Sequence, residues 1–291
     1  MKSSFLDSVL YRIAGRISRV MREFQQRQDK KSIISENEFW NKLFKSKDSF
    51  EHTLVNDIKI NLYKDSVLSK LIYFGFEKDE TDYVGSILKE GDIFVDIGAN
   101  IGLFSLIASR AVGNTGKVIC FEPSPTTFVR LDENVKLNNL NNISHKNIGL
   151  SEKIDELVFF ISKTGYDAWN SFAPREDILE DSILVPVSTL DIELNEVDKT
   201  KIKLIKIDVE GWEKFVIQGG RDLFVNYNPI VMVEFTEENT FNAGYPVYEI
   251  YDMMKDFGYV WYTIKDGELI LEPKRLRYPY NNLIAVKSKI D

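Results

Sequence analysis

Residues Gly91 to Gly102, Gly-Asp-Ile-Phe-Val-Asp-Ile-Gly-Ala-Asn-Ile-Gly, constrain this chain more than any other stretch. Ile93, Phe94 and Val95 form a short apolar run of β-formers, as a fully buried strand requires. Asp96 ends the run, Gly98 and Gly102 frame a tight turn, and Leu103 to Ala111 reads as a helix. Strand, glycine turn and helix open a doubly wound α/β sheet. Glycine serves where backbone approaches a ligand closely. The helix start offers N–H groups to a carboxylate or phosphate.

The spacing narrows the ligand. A dinucleotide fingerprint wants glycine at the first, third and sixth places. Here those places hold Gly98, Asn100 and Leu103, so an NAD(P)-dependent dehydrogenase is the weaker reading. The pattern is instead Asp-x-Gly-x-Asn-x-Gly. It resembles motif I of class I S-adenosylmethionine (SAM) methyltransferases, and Asp-Ile-Gly-Ala-Asn-Ile-Gly is most similar to the FkbM-type family. The resemblance implies that Asp96, Gly98, Ala99, Asn100 and Gly102 surround the cofactor, with Asp96 accepting from the methionine amino group directly or through water. The plainer alternative is a βα turn with two glycines and no ligand.

From Gly91 onward strands alternate with helices, the pattern of a parallel sheet. Strands are expected at Lys117–Phe121, Ile143–Ile148, Lys203–Ile207 and Ile230–Phe235. Helices are expected at Ser124–Leu137, from about Glu213, and at Val247–Phe257. Leu157–Ile161 and Leu184–Val187 read as an added hairpin, and Tyr259–Ile264 with Asn282–Val286 as a closing antiparallel pair. Glu122 ends the second strand, near the offset at which an acid takes ribose hydroxyls in a Rossmann site. Asn147 to Ser151 follows the third strand. In the class I fold this loop edges the adenine, so Asn147 or Ser151 is a contact, or else the loop is an ordinary capped turn.

A second motif, Lys206-Ile-Asp208-Val-Glu210-Gly211-Trp212-Glu213, also resembles the FkbM-type family. Strand alternation puts Lys206, Asp208 and Glu210 on one side while the strand persists. Charges inside a central strand are costly unless paired. Placed where a strand meets its loop, they point to the ligand crevice; the structural alternative is a Lys206–Asp208 pair plus helix capping. Glu234 ends the fifth strand, beside the fourth in this fold. Asp208, Glu210 and Glu234 are therefore the catalytic candidates. One is a general base for an acceptor hydroxyl, or Asp208 and Glu234 hold Mg²⁺. Tyr166, Trp169 and Asn170 suit a carbohydrate face or a packed lid equally. Cys120 and the two histidines, His52 and His145, read as packing or surface residues, so a thiolate or histidine metal cluster is excluded.

Composition sets outer limits. A net charge of −8 and a pI near 5.1 argue against a dedicated nucleic-acid binder. Also missing is the Asn/Asp-Pro-Pro-aromatic motif that many amino-group methylators of nucleic acid carry after the fourth strand; Asp208-Val-Glu-Gly stands there. Residues 1–31 differ: eight basic side chains against three acidic ones, with Phe5, Val9, Ile13, Ile17, Val20 and Phe24 at helical spacing. This basic amphipathic helix suits docking on its own domain, self-association, or peripheral contact with an anionic membrane. No apolar run approaches the ~20 residues of a membrane span, and no signal-peptide core is visible. A cytoplasmic protein, with membrane contact on the inner face, is the expectation.

The expected architecture is thus α/β: a Rossmann-like class I methyltransferase fold with a seven-stranded, mostly parallel sheet and an N-terminal helical extension. Its parts are the helix 1–31, an accessory region 32–90 and a SAM-binding domain 91–291. The resemblance implies SAM-dependent O-methylation of a sugar, glycoconjugate or secondary metabolite. The rival of a different class is a non-catalytic SAM-fold scaffold of a polysaccharide pathway.

Overall fold

A computed structural model describes residues 37–162, 170–174 and 180–287. The amphipathic helix expected at 1–31 and the loop residues Tyr166 and Trp169 lie outside the described residues. The chain divides into two compact units, Met1–Phe50 and Glu51–Asp291. In the first, residues 37–44 form a helix. Trp40 and Phe44 pack edge to face at 4.8 Å between ring centroids. The second unit holds the sheet, and it also takes in 51–90, the larger part of the region 32–90 read above as accessory.

The central strands are β1 (Ile93–Ile97), β2 (Lys117–Phe121), β3 (Ile143–Lys146), β4 (Ile202–Ile207), β5 (Ile230–Phe235), β6 (Tyr259–Lys265), β7 (Glu268–Leu271) and β8 (Asn281–Lys287). They hydrogen-bond in the order β7-β6-β8-β5-β4-β1-β2-β3. Strands β3, β2, β1, β4 and β5 run parallel, and β8 lies antiparallel between β5 and β6. The fold is therefore the Rossmann-like α/β arrangement expected, with eight strands rather than seven. The extra strand comes from a two-residue hairpin at Asp266-Gly267, with φ of 52° and 81°, joining the paired ends Lys265 and Glu268. Left-handed values at both central residues make the turn whose twist matches its strands, and Asp-Gly is its strongest sequence signal.

Alternation divides the two faces. Val95, Ile97, Ile119, Phe121, Ile205, Ile207, Val231 and Val233 join one large apolar core with the helices Glu213–Gly219 and Tyr248–Asp256. The opposite face carries Phe94, Asp96, Cys120, Lys206, Met232 and Glu234, all buried. The Leu103–Val112 helix covers this face, and Gly85 of the Lys78–Ile87 helix faces its Ile107.

Other elements refine the sequence reading. The third strand stops at Lys146 because Asn147 turns aside, its Nδ2 donating to the carbonyls of Glu122 and Pro123. Chain pairing resumes at Gly149–Leu150, alongside the hairpin of Asp155–Ser162 and Glu180–Ser188. A short helix, Val67–Tyr73, capped by Ser66, was not visible in the apolar periodicity. No helix among the described residues is long and apolar enough to cross a membrane.

Candidate active site

A cavity of about 260 Å³ opens at the C-terminal ends of β1, β2, β4 and β5. This is where the strand order reverses, between β1 and β4, and where open α/β sheets place their ligands. Gly98, Ala99, Asn100 and Glu122 line one end; Lys206, Asp208, Glu210 and Glu234 line the other.

At the first end the backbone is held by its own sequence. The Gly98 and Ala99 amides both donate to the Phe121 carbonyl, at 3.0 and 3.1 Å. Gly98 has φ +79°, and a Cβ there would stand 1.8 Å from the Asp208 carbonyl oxygen. No other residue fits, because the β1 and β4 loops touch at this point. Asn100 is also left-handed, at φ +49°, with its side chain accepting from the Ile101 amide. The Glu122 carboxylate accepts from the Asn100 amide (2.9 Å) with one oxygen and from the Ser124 amide (2.9 Å) with the other. It therefore pins the glycine turn while facing the cavity. The Leu103–Val112 helix starts with no side-chain cap, and Leu103 and Phe104 reach the cavity.

The second end concentrates charge. Asp208, Glu210 and Glu234 bring one carboxylate oxygen each within 4.8 Å of one another. The β4 strand ends at Ile207, so alternation does not carry on to Glu210 as the sequence reading had it. The chain instead turns over at Glu210 (φ +54°) and Gly211 (φ +100°), and this turn presents Glu210 beside Asp208. Glu210 accepts from Asn239 Nδ2 at 2.5 Å, and its carbonyl accepts from Ser171 Oγ. Lys206 Nζ donates to Asp208 Oδ2 at 2.8 Å and lies 4.9 Å from the Phe104 ring centroid. Burial alone would push the Lys206 ammonium down, but Asp208, Asp96 and Glu77 together hold it above its ordinary value. Glu234 is 6% exposed, and its Oε2 has no hydrogen-bond partner among the described residues. Burial first, then Glu210 and Asp208, push its carboxyl well above the ordinary range.

Two further residues complete this end. Glu77 accepts from Tyr280 Oη at 2.8 Å and from Asn282 Nδ2 at 2.9 Å, and burial and then Asp208 raise its carboxyl. Glu213 is buried, with Oε1 accepting from the amides of Val209 (3.0 Å) and Gly211 (3.1 Å). Desolvation carries its carboxyl up to about 7 against those two hydrogen bonds. Sequence reasoning gave Glu213 only a helix-capping role and did not find Glu77 or Tyr280. Neither carries a local signal, because the register Glu234↔Asn282 that sets the C-terminal strand against β5 exists only in the folded sheet.

Not every expected residue reaches the cavity. Asp96 lies under the glycine turn, 1% exposed, with Oδ2 accepting from Ser105 Oγ and Oδ1 without a partner among the described residues. It stands beside Lys206 in the sheet register, does not line the cavity, and lies in the field of that ammonium. Gly102, φ +97°, packs on Leu131, where a Cβ would come within 2.7 Å of Cδ1. Ser151 accepts from Trp212 Nε1 at 3.1 Å, and Ile148, Gly149 and Leu150 line the cavity in its place. Asn147 acts on the Glu122 loop, not on the cavity. Asn170 lines the cavity and accepts from the Ser162 amide. Cys120 is buried 3.0 Å from Ser105 Oγ, and His145 pairs with Asp132 on β3, away from this crevice.

Comparison with known proteins places this cavity in a family. The model of the methyltransferase FkbM domain matches residues 96–261. The chain is 28% identical over 165 residues to Methyltransferase 1 of Beauveria bassiana, spanning 51% of this chain and 66% of that one. It is 28% identical over 160 residues to the hexuronic acid methyltransferase AglP of Haloferax volcanii, spanning 53% and 62%. Against the 2-O-methyltransferase NoeI of Sinorhizobium fredii the identity is 25% over 211 residues, spanning 66% and 84%. The chain thus spans just under two thirds of the first two relatives. The family match runs from Asp96 in the glycine turn, through the acid-bearing ends of β4 and β5, to Trp261 in β6, more than half the chain, and the protein belongs to the FkbM methyltransferase family.

Proposed function

We propose that this chain is a SAM-dependent O-methyltransferase acting on a hydroxyl of a sugar, glycoconjugate or secondary metabolite. The observation that carries the reading is one cavity joining a glycine turn, with Glu122 beside it, to a buried carboxylate whose Oε2 has no hydrogen-bond partner among the described residues. The residues fit the cofactor: Gly98 leaves the room that a Cβ would fill, and Glu122 faces the cavity beside it. Bound there, SAM supplies an electrophilic methyl on a sulfonium and leaves as a neutral thioether. Glu122 would take the ribose hydroxyls, and Ile148, Gly149 and Leu150 would edge the base. Holding the acceptor oxygen in line with the methyl supplies most of the acceleration.

Glu234 is the proposed general base, because its Oε2 is buried, unpartnered and directed into the acid cluster. It takes the hydroxyl proton as the acceptor oxygen bonds to the methyl carbon and the carbon–sulfur bond breaks. Lys206 holds Asp208 in place beside it. The names of two relatives, a hexuronic acid methyltransferase and a 2-O-methyltransferase, support a sugar hydroxyl as acceptor. A second reading has a geometric basis: Asp208, Glu210 and Glu234 match the oxygen donors a hard divalent cation takes. Activity that survives EDTA and ignores added Mg²⁺ would exclude it.

The test is tritiated-methyl transfer from SAM into fractionated glycan, lipid and small-molecule pools, with SAH affinity measured by calorimetry. The Glu234→Gln variant is expected to bind SAH as the parent does and to lose about 10²–10³-fold in kcat. Equal loss of SAH affinity would remove Glu234 from the base role.

A further inference from the structure

Among the described residues, Glu77, Asp208 and Glu234 bring carboxylates to the acid end of the cavity, and Lys206 brings a cation. Lys206 is itself engaged by Asp208. Tyr280 and Asn282 orient Glu77 through neutral donors, which fix its carboxylate without cancelling its charge. Tyr280 lines the same cavity as Glu77, Asp208 and Glu234. Glu234 Oε2 adds a buried acceptor with no donor. Leu68, Leu71 and Phe76 form an apolar wall on the Glu77 side. Glu77, Tyr280 and Asn282 all lie outside residues 96–261, so this feature belongs to the segments flanking the family match.

We propose that this end is an acceptor subsite for an amine-bearing hydroxyl compound, an amino sugar or aminated polyol, with its ammonium between Glu77 and Glu234. The inference rests on the methyl-transfer reading and adds the acceptor class to it. An ammonium offers three donors and one positive charge, which answers both the orphaned Glu234 oxygen and the Glu77 carboxylate held by neutral donors. The apolar wall suits the C–H face of a ring. A carboxylated or phosphorylated acceptor would instead bring a like charge into a partly desolvated site, where screening is weak.

The experiment uses the full chain saturated with SAH, at neutral pH in EDTA. Methyl glucosaminide, methyl glucoside and methyl glucuronide are compared by saturation-transfer NMR and competition. The expected order is amine over neutral by about tenfold or more, with the uronide weakest, since each tenfold step needs only one well-placed charge contact. Glu77→Gln, checked by its melting temperature, should shrink the amine preference below about threefold, and Glu234→Gln should shrink it independently. Equal binding of the three, tighter binding of the uronide, or sugar binding that appears only when Mg²⁺ is added would overturn the proposal. Failure of the parent chain to bind SAH would instead remove the methyltransferase reading beneath it.

Discussion

At the glycine-turn end, Glu122 meets two backbone amides, one per carboxylate oxygen; at the acid end, Glu234 keeps a buried oxygen with no donor among the described residues. Both are strand-end glutamates with little exposure. The difference is where their neighbours come from. Glu122 is served by Asn100 and Ser124, from loops that one glycine turn draws together. Glu234 is surrounded by Glu210 and Asp208, which raise its carboxyl further. Donor-satisfied acids of this kind hold a shape, whereas orphaned buried acids are expensive and persist where a ligand completes them. The sequence motif of the first end therefore builds a cradle, and the acids of the second end wait for a proton or a cation.

The strongest way to break this comparison is Gly98→Ala. A methyl there collides with the Asp208 carbonyl and needs a left-handed φ as well. The two loops must separate, which costs about 3 kcal/mol in a packed site. SAH affinity should fall beyond calorimetric detection, and the melting temperature should drop by many degrees. Parental SAH affinity in this variant would show that the contact between the two ends is dispensable.

A subtler probe is Glu213, which shares features of both ends. Two backbone amides satisfy it like Glu122, yet burial and Asp208 still carry it from 4.5 up to about 7. Below pH 4.5 the folded and unfolded chains both hold the proton. Between 4.5 and about 7 the folded chain keeps a proton that the unfolded chain has lost, so stability falls as pH rises. The total from this group is roughly 3 kcal/mol by linkage. Glu213→Gln keeps an acceptor for the two amides and removes the titration. Thermal melts from pH 4 to 8 should therefore be flatter in the variant, with the variant ahead by several degrees at pH 8. Parallel profiles would mean that hydrogen bonding outweighs burial at this position.

Much of the fold was legible because its signals are local. The apolar runs Ile93–Val95 and Ile230–Phe235, the glycine turn and Pro125 in the first turn of its helix are each set by near neighbours. So was the juxtaposition of Asp208 and Glu234, which follows from parallel β4 and β5. What was not legible depends on distant partners or on backbone conformation. Glu77 enters the cavity from a left-handed residue at φ +55°, and its donors lie more than 200 positions away at Tyr280 and Asn282. Asp96 shares its motif with residues that line the cavity, but it sits one residue back from the strand end, beneath Ser105 of the covering helix. Motif membership does not reveal which residues reach the cavity. Ser151 was displaced from the cavity by Trp212, whose indole claims its hydroxyl.

The smallest expected effect tests whether a glycine matters for its backbone alone. Gly267 has φ +81° in the hairpin that makes the eighth strand, and a Cβ there meets nothing within 4 Å. Gly267→Ala thus separates conformational strain from collision, which Gly98→Ala combines. The left-handed region costs a non-glycine residue about 1 kcal/mol. That should lower the melting temperature by about 2–4 °C in a chain of this size. The hairpin sits at the sheet edge beyond β6, five strands from β1, so SAH affinity and methyl transfer should stay at parental values. A change in either would mean that the edge strand is coupled to the cavity through β8, whose Asn282 holds Glu77. In that case the acid end would extend its support to the far edge of the sheet, and the division between a locally built cradle and a remotely assembled acid cluster would be sharper still.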